Sequence, residues 1–378
     1  MVWQNQATSP SKIHLRILFV ITLLVGLWFF FTIPSPGSSI SNFTGSYYSG
    51  ANSHGSLRTG SGADRKGFLP ASEAKEYCER RRWEPYPDRK TPRKIYDLMM
   101  INTEIEWLEI RLGQMDADVD YFIIVESNKT FTDKDKPCYV RDNWEKFEKY
   151  HHKMILHTLE IPEEGQGNAW DREKLSRNAM FDQVIPRLEG EQKANKGDII
   201  LVSDVDELPR PETLHALRNC KFPKKVALGS KMYYYSFQWL ARNEWWHPQA
   251  TYYDGKDTIL PEALRHSDAD HDTFKMYNAA WHCSFCFPTV GELVNKIKSF
   301  SHTEMDREEI TNKDNIVHRV RFGLDVFNRP ESNFDRLDDV DQPDFLLNNK
   351  ERYGYMLNRD GVDGGFWDYP ENHGKAAN

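Results

Sequence analysis

The sequence lacks the features that would place it in several common classes. Lys and Arg number 49 against 57 Asp and Glu, giving a formal net charge of −8 and a pI near 5.9. There is no basic excess to hold a phosphate backbone, so composition gives nucleic-acid binding no support. Cysteine is scarce: Cys78, Cys138, Cys220, Cys283 and Cys286 are the five in 378 residues. Cys283 and Cys286 form a C-x-x-C with no second pair, which argues against a structural zinc site. A redox C-x-x-C belongs at a helix amino end, whereas this one sits in a strand-like run, so buried thiols or a structural disulfide are expected. The paired His and Asp ligands that a two-metal phosphoester hydrolase needs are missing. No internal repeat is present. Acids are also absent from the amino end: the first is Asp64.

From Ile17 to Ile33 (ILFVITLLVGLWFFFTI) no residue is charged, and Pro34 closes the run. That length is at the short limit of the ~17–25 residues of a spanning helix and exceeds the ~7–15 of most signal-peptide cores. Lys12 and Arg16 precede it, so the positive-inside bias puts residues 1–16 in the cytosol and the remainder across the membrane. A cleaved signal peptide is the alternative. A short span suits the thinner early-secretory membrane, which points to a Golgi or ER type II membrane protein with a lumenal globule. Residues 34–63, rich in Ser, Gly, Asn and Pro, read as a flexible stem, and 64–92 as a charged neck. Asn42-Phe43-Thr44 is a glycosylation acceptor in that stem, and Asn128-Lys129-Thr130 is a second sequon inside the globule. Five lumenal cysteines permit up to two disulfides, whose pairing sequence does not give.

The globule is read as residues 93–357, with 358–378 as a poorly ordered tail. Its first half alternates short apolar runs with helical ones. Ile95–Ile101, Tyr121–Val125 and Met154–Leu159 are expected strands. Residues 104–115, 143–150 and 171–188 are expected helices, giving an α/β domain with a central sheet. Ile199 to Val202 is a mostly β-branched apolar run, the mark of a strand buried on both faces, and it runs into Ser203-Asp204-Val205-Asp206-Glu207-Leu208-Pro209. If the chain stays extended, Asp204 and Asp206 leave the same side, past the carboxyl end of the strand where α/β sheets bind ligands. Two carboxylates with open positions beyond them suit Mg²⁺ or Mn²⁺ bridging to a diphosphate. The plainer alternative is an acidic turn capping a helix that begins at Pro211.

After Pro211 the pattern changes. Lys225–Leu240 and Glu244–Tyr253 are long, aromatic and strand-like. Tyr233, Tyr234, Tyr235, Trp239, Trp245 and Trp246 offer either an acceptor-sugar surface or ordinary core packing. Asn278–Phe287 is a further expected strand, Val290–Phe300 an amphipathic helix, and Phe345–Leu357 a terminal helix.

A D-x-D at a strand end, on a membrane-tethered lumenal α/β domain with an aromatic second half, indicates a sugar-nucleotide glycosyltransferase. The chain also resembles glycosyltransferase family 17, the β-1,4-mannosyl-glycoprotein 4-β-N-acetylglucosaminyltransferases, whose animal members add the bisecting GlcNAc to N-glycans. The resemblance is carried by Tyr121 to Asn128 with Thr130-Phe131, by Ser203 to Pro209, by Trp281-His282-Cys283-Ser284-Phe285-Cys286-Phe287, and by Leu346 to Leu357, across about residues 94–357. It implies a GT-A-like fold with a mixed central sheet, UDP-GlcNAc as donor, Mn²⁺ (or Mg²⁺), a glycan or glycoprotein acceptor, and inversion at the anomeric carbon. Asp204 and Asp206 are then the metal and diphosphate site, with Glu126, Ser127 and Asn128 beside the nucleotide. His302 or His282 would be a further metal ligand; His302 is preferred because it follows a helix, while His282 lies mid-strand. Inversion needs a general base. Glu262, Asp268, Asp270, Asp272, Glu292 and Glu304 are the candidates, and Glu304, close to His302, is chosen. Arg177 and Lys296 are candidate partners of donor phosphates. The alternatives are the same fold acting on another donor or acceptor, and a non-catalytic carbohydrate-binding relative, of which a broken D-x-D would be the mark; here the motif is whole.

Overall fold

A strand buried on both faces must present apolar side chains in both directions, and Ile199–Asp204 does. Ile199 and Leu201 belong to one core cluster, Ile200 and Val202 to another. The computed structural model describes residues 67–88, 90–161, 167–329 and 334–370. Within it, Ile95–Met100 (β1) and Tyr121–Ser127 (β2) repeat the alternation: Ile95, Met99, Phe122 and Ile124 face one cluster, Tyr96, Leu98, Ile123 and Val125 the other. Met154–Leu159 (β3) lies at the edge, and Ile199–Asp204 is β4. The order β3-β2-β1-β4 is parallel throughout.

The rest of the sheet is mostly antiparallel. Glu207–Pro209 (β5) follows β4 after a two-residue turn, then the hairpin Val226–Tyr234 (β6) and Ser236–Ala241 (β7). Gln249–Tyr252 (β8), Phe274–Ser284 (β9) and Phe334–Arg336 (β10) complete ten strands. The order is β10-β7-β6-β8-β4-β1-β2-β3, with β9 parallel to β6 and antiparallel to β5. The sheet as a whole is therefore mixed, as the family resemblance implies.

Six helices of nine residues or more cover the faces among the described residues: Ala71–Glu79 (α1), Ile105–Met115 (α2), Ala169–Asp182 (α3), Pro211–Asn219 (α4), Val290–Ser299 (α5) and Lys313–Phe322 (α6). Leu108 and Leu112 of α2 and Leu214 and Leu217 of α4 pack on the face of Ile199, while Ala179 and Met180 of α3 pack on the face of Ile200. A third cluster joins α5 and α6 to the β6–β7 corner.

Several boundaries differ from the sequence expectation for local reasons. The 171–188 helix stops at Asp182, because Pro186 has no N–H for the ladder and its ring would meet the carbonyl of residue 182. Trp144–Tyr150 is 3₁₀, and the terminal helix breaks into Asp344–Asn348, Lys350–Tyr353 and Gly354–Met356. The segment read as a neck joins the core: α1 is tied by the Cys78–Cys220 disulfide, and Trp83 is buried. Residues of the segment read as a tail are also built in. Arg359 is fully buried, donating to the carbonyls of Tyr235 and Phe287, and Asp368 caps α5 through the amides of Val290 and Gly291. Cys283 and Cys286 form the second disulfide and Cys138 is free and buried. Among the described residues no helix is long and apolar enough to cross a membrane; the 17–33 run and the Asn42 sequon lie outside them.

Candidate active site

The alternation of β4 also sorts the polar residues at its end. Ser203 points to the α2 side and Asp204 to the α3 side. On the α2 side Arg111, fully buried, makes a two-pronged ion pair with the buried Asp97 of β1, at 2.7 and 2.6 Å. It also bonds Ser203 Oγ and donates to the carbonyls of Asp204, Val205 and Glu207, at 3.2, 3.3 and 2.6 Å. One guanidinium therefore gathers three carbonyls of the acidic turn, which would otherwise lie in the interior without partners. This is why the chain does not stay extended past Asp204, and why the two Asp side chains have different partners.

On the α3 side Asp204 accepts from Arg177 at 3.2 Å and from Arg265 at 2.9 Å. Arg177 also meets Glu173 at 2.6 Å and Glu262 at 3.2 Å. Partial burial alone would raise the Asp204 carboxyl, but Arg265 and Arg177 outweigh it and hold it far below the carboxylate range. Its side chain remains 41% exposed, so a ligand can reach it. Glu207 is buried, with its carboxylate receiving Arg265 twice (2.6 and 2.7 Å), the indole N–H of Trp245 (2.7 Å) and the amide of Asp204 (3.0 Å). Burial would raise it; Arg265 keeps it down at about 2.

Asp206 has a different neighbour. β9 pairs with β5 so that His282 sits opposite Glu207, and His282 Nε2 lies 3.7 Å from Asp206 Oδ2. Burial would lower the imidazole, and the Asp206 carboxylate beside it raises it instead. His282 Nδ1 is buried with no hydrogen-bond partner. Lys296 of α5 donates to Glu104 at 2.7 Å, and Glu104 with Asp206 and Asp204 raises its ammonium well above the lysine range despite burial. A cation thus faces the acidic turn from α5, which is laid over the end of β1 by the bond from Asn102 to Ser299 at 2.8 Å.

Three or more His, Cys, Asp or Glu side chains gathered for an all-protein metal site do not occur among the described residues. Asp206 and His282 do fit a divalent cation that takes the rest of its shell from a diphosphate and water. The two side chains lie 3.7 Å apart, near enough that both would hold such an ion.

The other sequence candidates are distributed as follows. His302, exposed, pairs with Glu304 at 2.9 Å and meets Trp170 edge-on at 4.9 Å. Its loop is tied to the site indirectly: Ser301 donates to Glu173 at 2.5 Å, and Glu173 holds Arg177. Glu304's own backbone amide and His302 lower its carboxyl. Glu126 is buried, and its carboxylate accepts the amides of Val140 and Arg141 at 2.9 and 3.1 Å, a task internal to the fold. Ser127 accepts the Lys129 amide, and Asn128 is exposed at the end of β2. Asp270 and Asp272 pair with Lys225, and the Glu292 carboxylate accepts from the hydroxyl of Thr289, which caps α5. Glu262 is held by Arg177 and Asp268 lies in the 3₁₀ turn His266–Ala269. The six aromatics divide: Tyr233, Tyr234, Tyr235 and Trp239 are core, while Trp245 and Trp246 stay partly open. Sequence reasoning passed over Arg111, Arg265 and Glu207. Only the acid following the D-x-D carried a signal; a helical arginine and the end of a short Pro-Glu-Ala-Leu-Arg turn carry none.

The chain belongs to glycosyltransferase family 17, whose model matches residues 68–362. It is 22% identical over 303 residues to the human β-1,4-mannosyl-glycoprotein 4-β-N-acetylglucosaminyltransferase, covering 71% of this chain and 56% of that protein. The rat protein of the same name matches at 22%, covering 71% and 55%. The chain thus spans about half the length of the curated relatives it matches. Among solved structures, a mannosyltransferase from Pyrobaculum calidifontis in complex with GDP-Man and Mn²⁺ is 13% identical with a TM-score of 0.33, each chain covered to 75%.

Proposed function

We propose that this chain is an inverting, metal-dependent transferase that moves N-acetylglucosamine from UDP-GlcNAc to a mannose of an N-glycan in β-1,4 linkage. Its GT-A-like domain would be lumenal in the Golgi or ER, behind an amino-terminal anchor. Family membership supports the reaction class, and the names of the curated relatives support the donor sugar and the linkage. The observation that carries the site assignment is Asp206 beside His282 Nε2, with His282 Nδ1 buried and unpartnered, the Lys296 ammonium close enough to feel Asp206 and Asp204, and Asp204 reachable.

Asp206 and His282 would hold the cation, which when bound would supply Lewis-acid stabilisation of the departing diphosphate. Lys296 adds a fixed positive charge on the same side, preorganised by Glu104 so that it need not reorient as negative charge develops. Asp204, held ionised by Arg177 and Arg265 and still reachable, accepts substrate hydroxyls. Glu304, exposed and ionised at neutral pH, takes the acceptor hydroxyl proton; its loop reaches the site through Ser301 and Glu173.

The test is UDP release from a panel of UDP-sugars with and without Mn²⁺, with an N-glycan acceptor. The expected result is turnover of UDP-GlcNAc that requires Mn²⁺, is abolished in Asp206→Ala, and in Glu304→Gln loses kcat while UDP affinity is kept. Turnover of UDP-GlcNAc by Asp206→Ala at the wild-type rate would refute the assignment.

A further inference from the structure

Trp170, in the first turn of α3, is a large aromatic held at the surface, with 49% of its area exposed. Helical spacing puts it on one face of α3 with Glu173 and Arg177, at i+3 and i+7. That face leads to the acidic turn, because Arg177 meets both Glu173, at 2.6 Å, and Asp204, at 3.2 Å. At ~1.5 Å of rise per residue, Trp170 lies about 10 Å along the helix axis from Arg177. His302 sits against the same end of α3. Its ring stands perpendicular to the indole with centroids 4.9 Å apart, and its loop is pinned to the same helix face by Ser301, which donates to Glu173 at 2.5 Å. Perpendicular rings leave at least one indole face uncovered by the imidazole. His302 Nδ1 in turn lies 2.9 Å from the exposed Glu304 carboxylate. Direct contacts therefore place Trp170, His302 and Glu304 on one surface, and the α3 face carries that surface to Asp204.

We propose that Trp170 and His302 form an outer acceptor subsite, in which a neutral hexose ring of the glycan, a neighbour of the ring that accepts, stacks on the open indole face. This rests on the transferase reading above. The distance along α3 leaves room for the accepting ring between Trp170 and Asp204, so the stacked ring sets how far the glycan is fed toward the donor. A neutral sugar fits because the open surface is aromatic and the polar group at its edge is the Glu304 carboxylate, which accepts hydroxyls and repels an acidic sugar. His302 braces the indole from the side, so stacking on it costs little additional conformational entropy.

The experiment uses the full chain in detergent, without nucleotide or Mn²⁺, and titrates mannotriose and methyl α-mannoside by calorimetry, with UDP plus Mn²⁺ titrated separately. Wild type should bind mannotriose saturably and about tenfold more tightly than the monosaccharide. Trp170→Ala should weaken mannotriose about tenfold, a loss of ~1.4 kcal/mol, down to the level of the monosaccharide, and leave UDP–Mn²⁺ affinity unchanged. Trp170→Phe, which keeps an aromatic face, should stay within a few-fold of wild type. Trp170 lies at the surface, and unchanged UDP–Mn²⁺ binding by its variant shows that the fold is intact. Equal mannotriose affinity in wild type and Trp170→Ala, or no saturable binding by wild type, overturns the subsite. If UDP with Mn²⁺ still binds wild type in that case, only the subsite is lost and the donor assignment stands; if it does not, the transferase reading falls with it.

Discussion

Replacing Arg111 with Met should cost a large part of the fold's stability and disorder the acidic turn. Arg111 and Asp97 are both fully buried, and breaking such a pair by removing one partner leaves an uncompensated charge at about 3–5 kcal/mol. The carbonyls of Asp204, Val205 and Glu207 lose their donor as well, at roughly 1–3 kcal/mol for each that stays dry. Some will rehydrate, so the expected total is at least ~4 kcal/mol, against a typical stability of about 5–15 kcal/mol. With a urea m-value of ~3 kcal/mol/M, the midpoint followed by tryptophan fluorescence should fall by more than about 1 M. The double variant Asp97→Leu with Arg111→Met removes the stranded charge and should recover part of the loss. It leaves the carbonyls unmet, so Mn²⁺–UDP affinity should stay low even as the midpoint rises. An Arg111→Met midpoint within about 0.3 M of wild type would refute the reasoning, since neither penalty could then be real.

Two other perturbations probe independent parts of the structure. Burial and Arg265 push the His247 imidazole down to about 4, so it is neutral in the folded chain at pH 5 while the unfolded chain takes up a proton below about 6.5. Stability should therefore fall as pH drops from about 6.5 to 4, and His247→Gln should flatten that slope, as checked by urea midpoints at pH 7 and pH 5. The Cys78–Cys220 disulfide closes a separation of 142 residues, so Cys220→Ser should cost about 2–5 kcal/mol and lower the thermal midpoint in a non-reducing scan.

The parallel half of the sheet could be read from sequence because β1, β2 and β4 are apolar on both faces, a pattern that solvent-facing strands do not produce. The place of the acidic turn at the end of β4 could be read because it follows such a strand. What could not be read was set by contacts distant in sequence. The β6–β7 hairpin turns at Tyr235, with φ +63° and no glycine or asparagine to announce it; the conformation is held by the Arg359 guanidinium on its carbonyl. The α1 segment reads as charged and irregular, and its place in the core comes from Cys78 and Trp83. In sequence, His302 follows a helix and can sit in a loop, whereas His282 is mid-strand, and the neighbours of a mid-strand side chain are not legible there. Which way a strand residue faces depends on register, and the pairing of β9 with β5 turns His282 toward Asp206. The arginines that shape the turn were invisible, since a helical arginine ordinarily faces water.

The assignment of Asp206 and His282 as the cation site is tested most directly by titrating Mn²⁺ in the presence of UDP and following free Mn²⁺ by electron paramagnetic resonance. Wild type should bind saturably, Asp206→Ala and His282→Ala should each weaken binding tenfold or more, and His302→Ala should leave it unchanged. Undiminished Mn²⁺ binding in Asp206→Ala or His282→Ala, or a loss confined to His302→Ala, would contradict it.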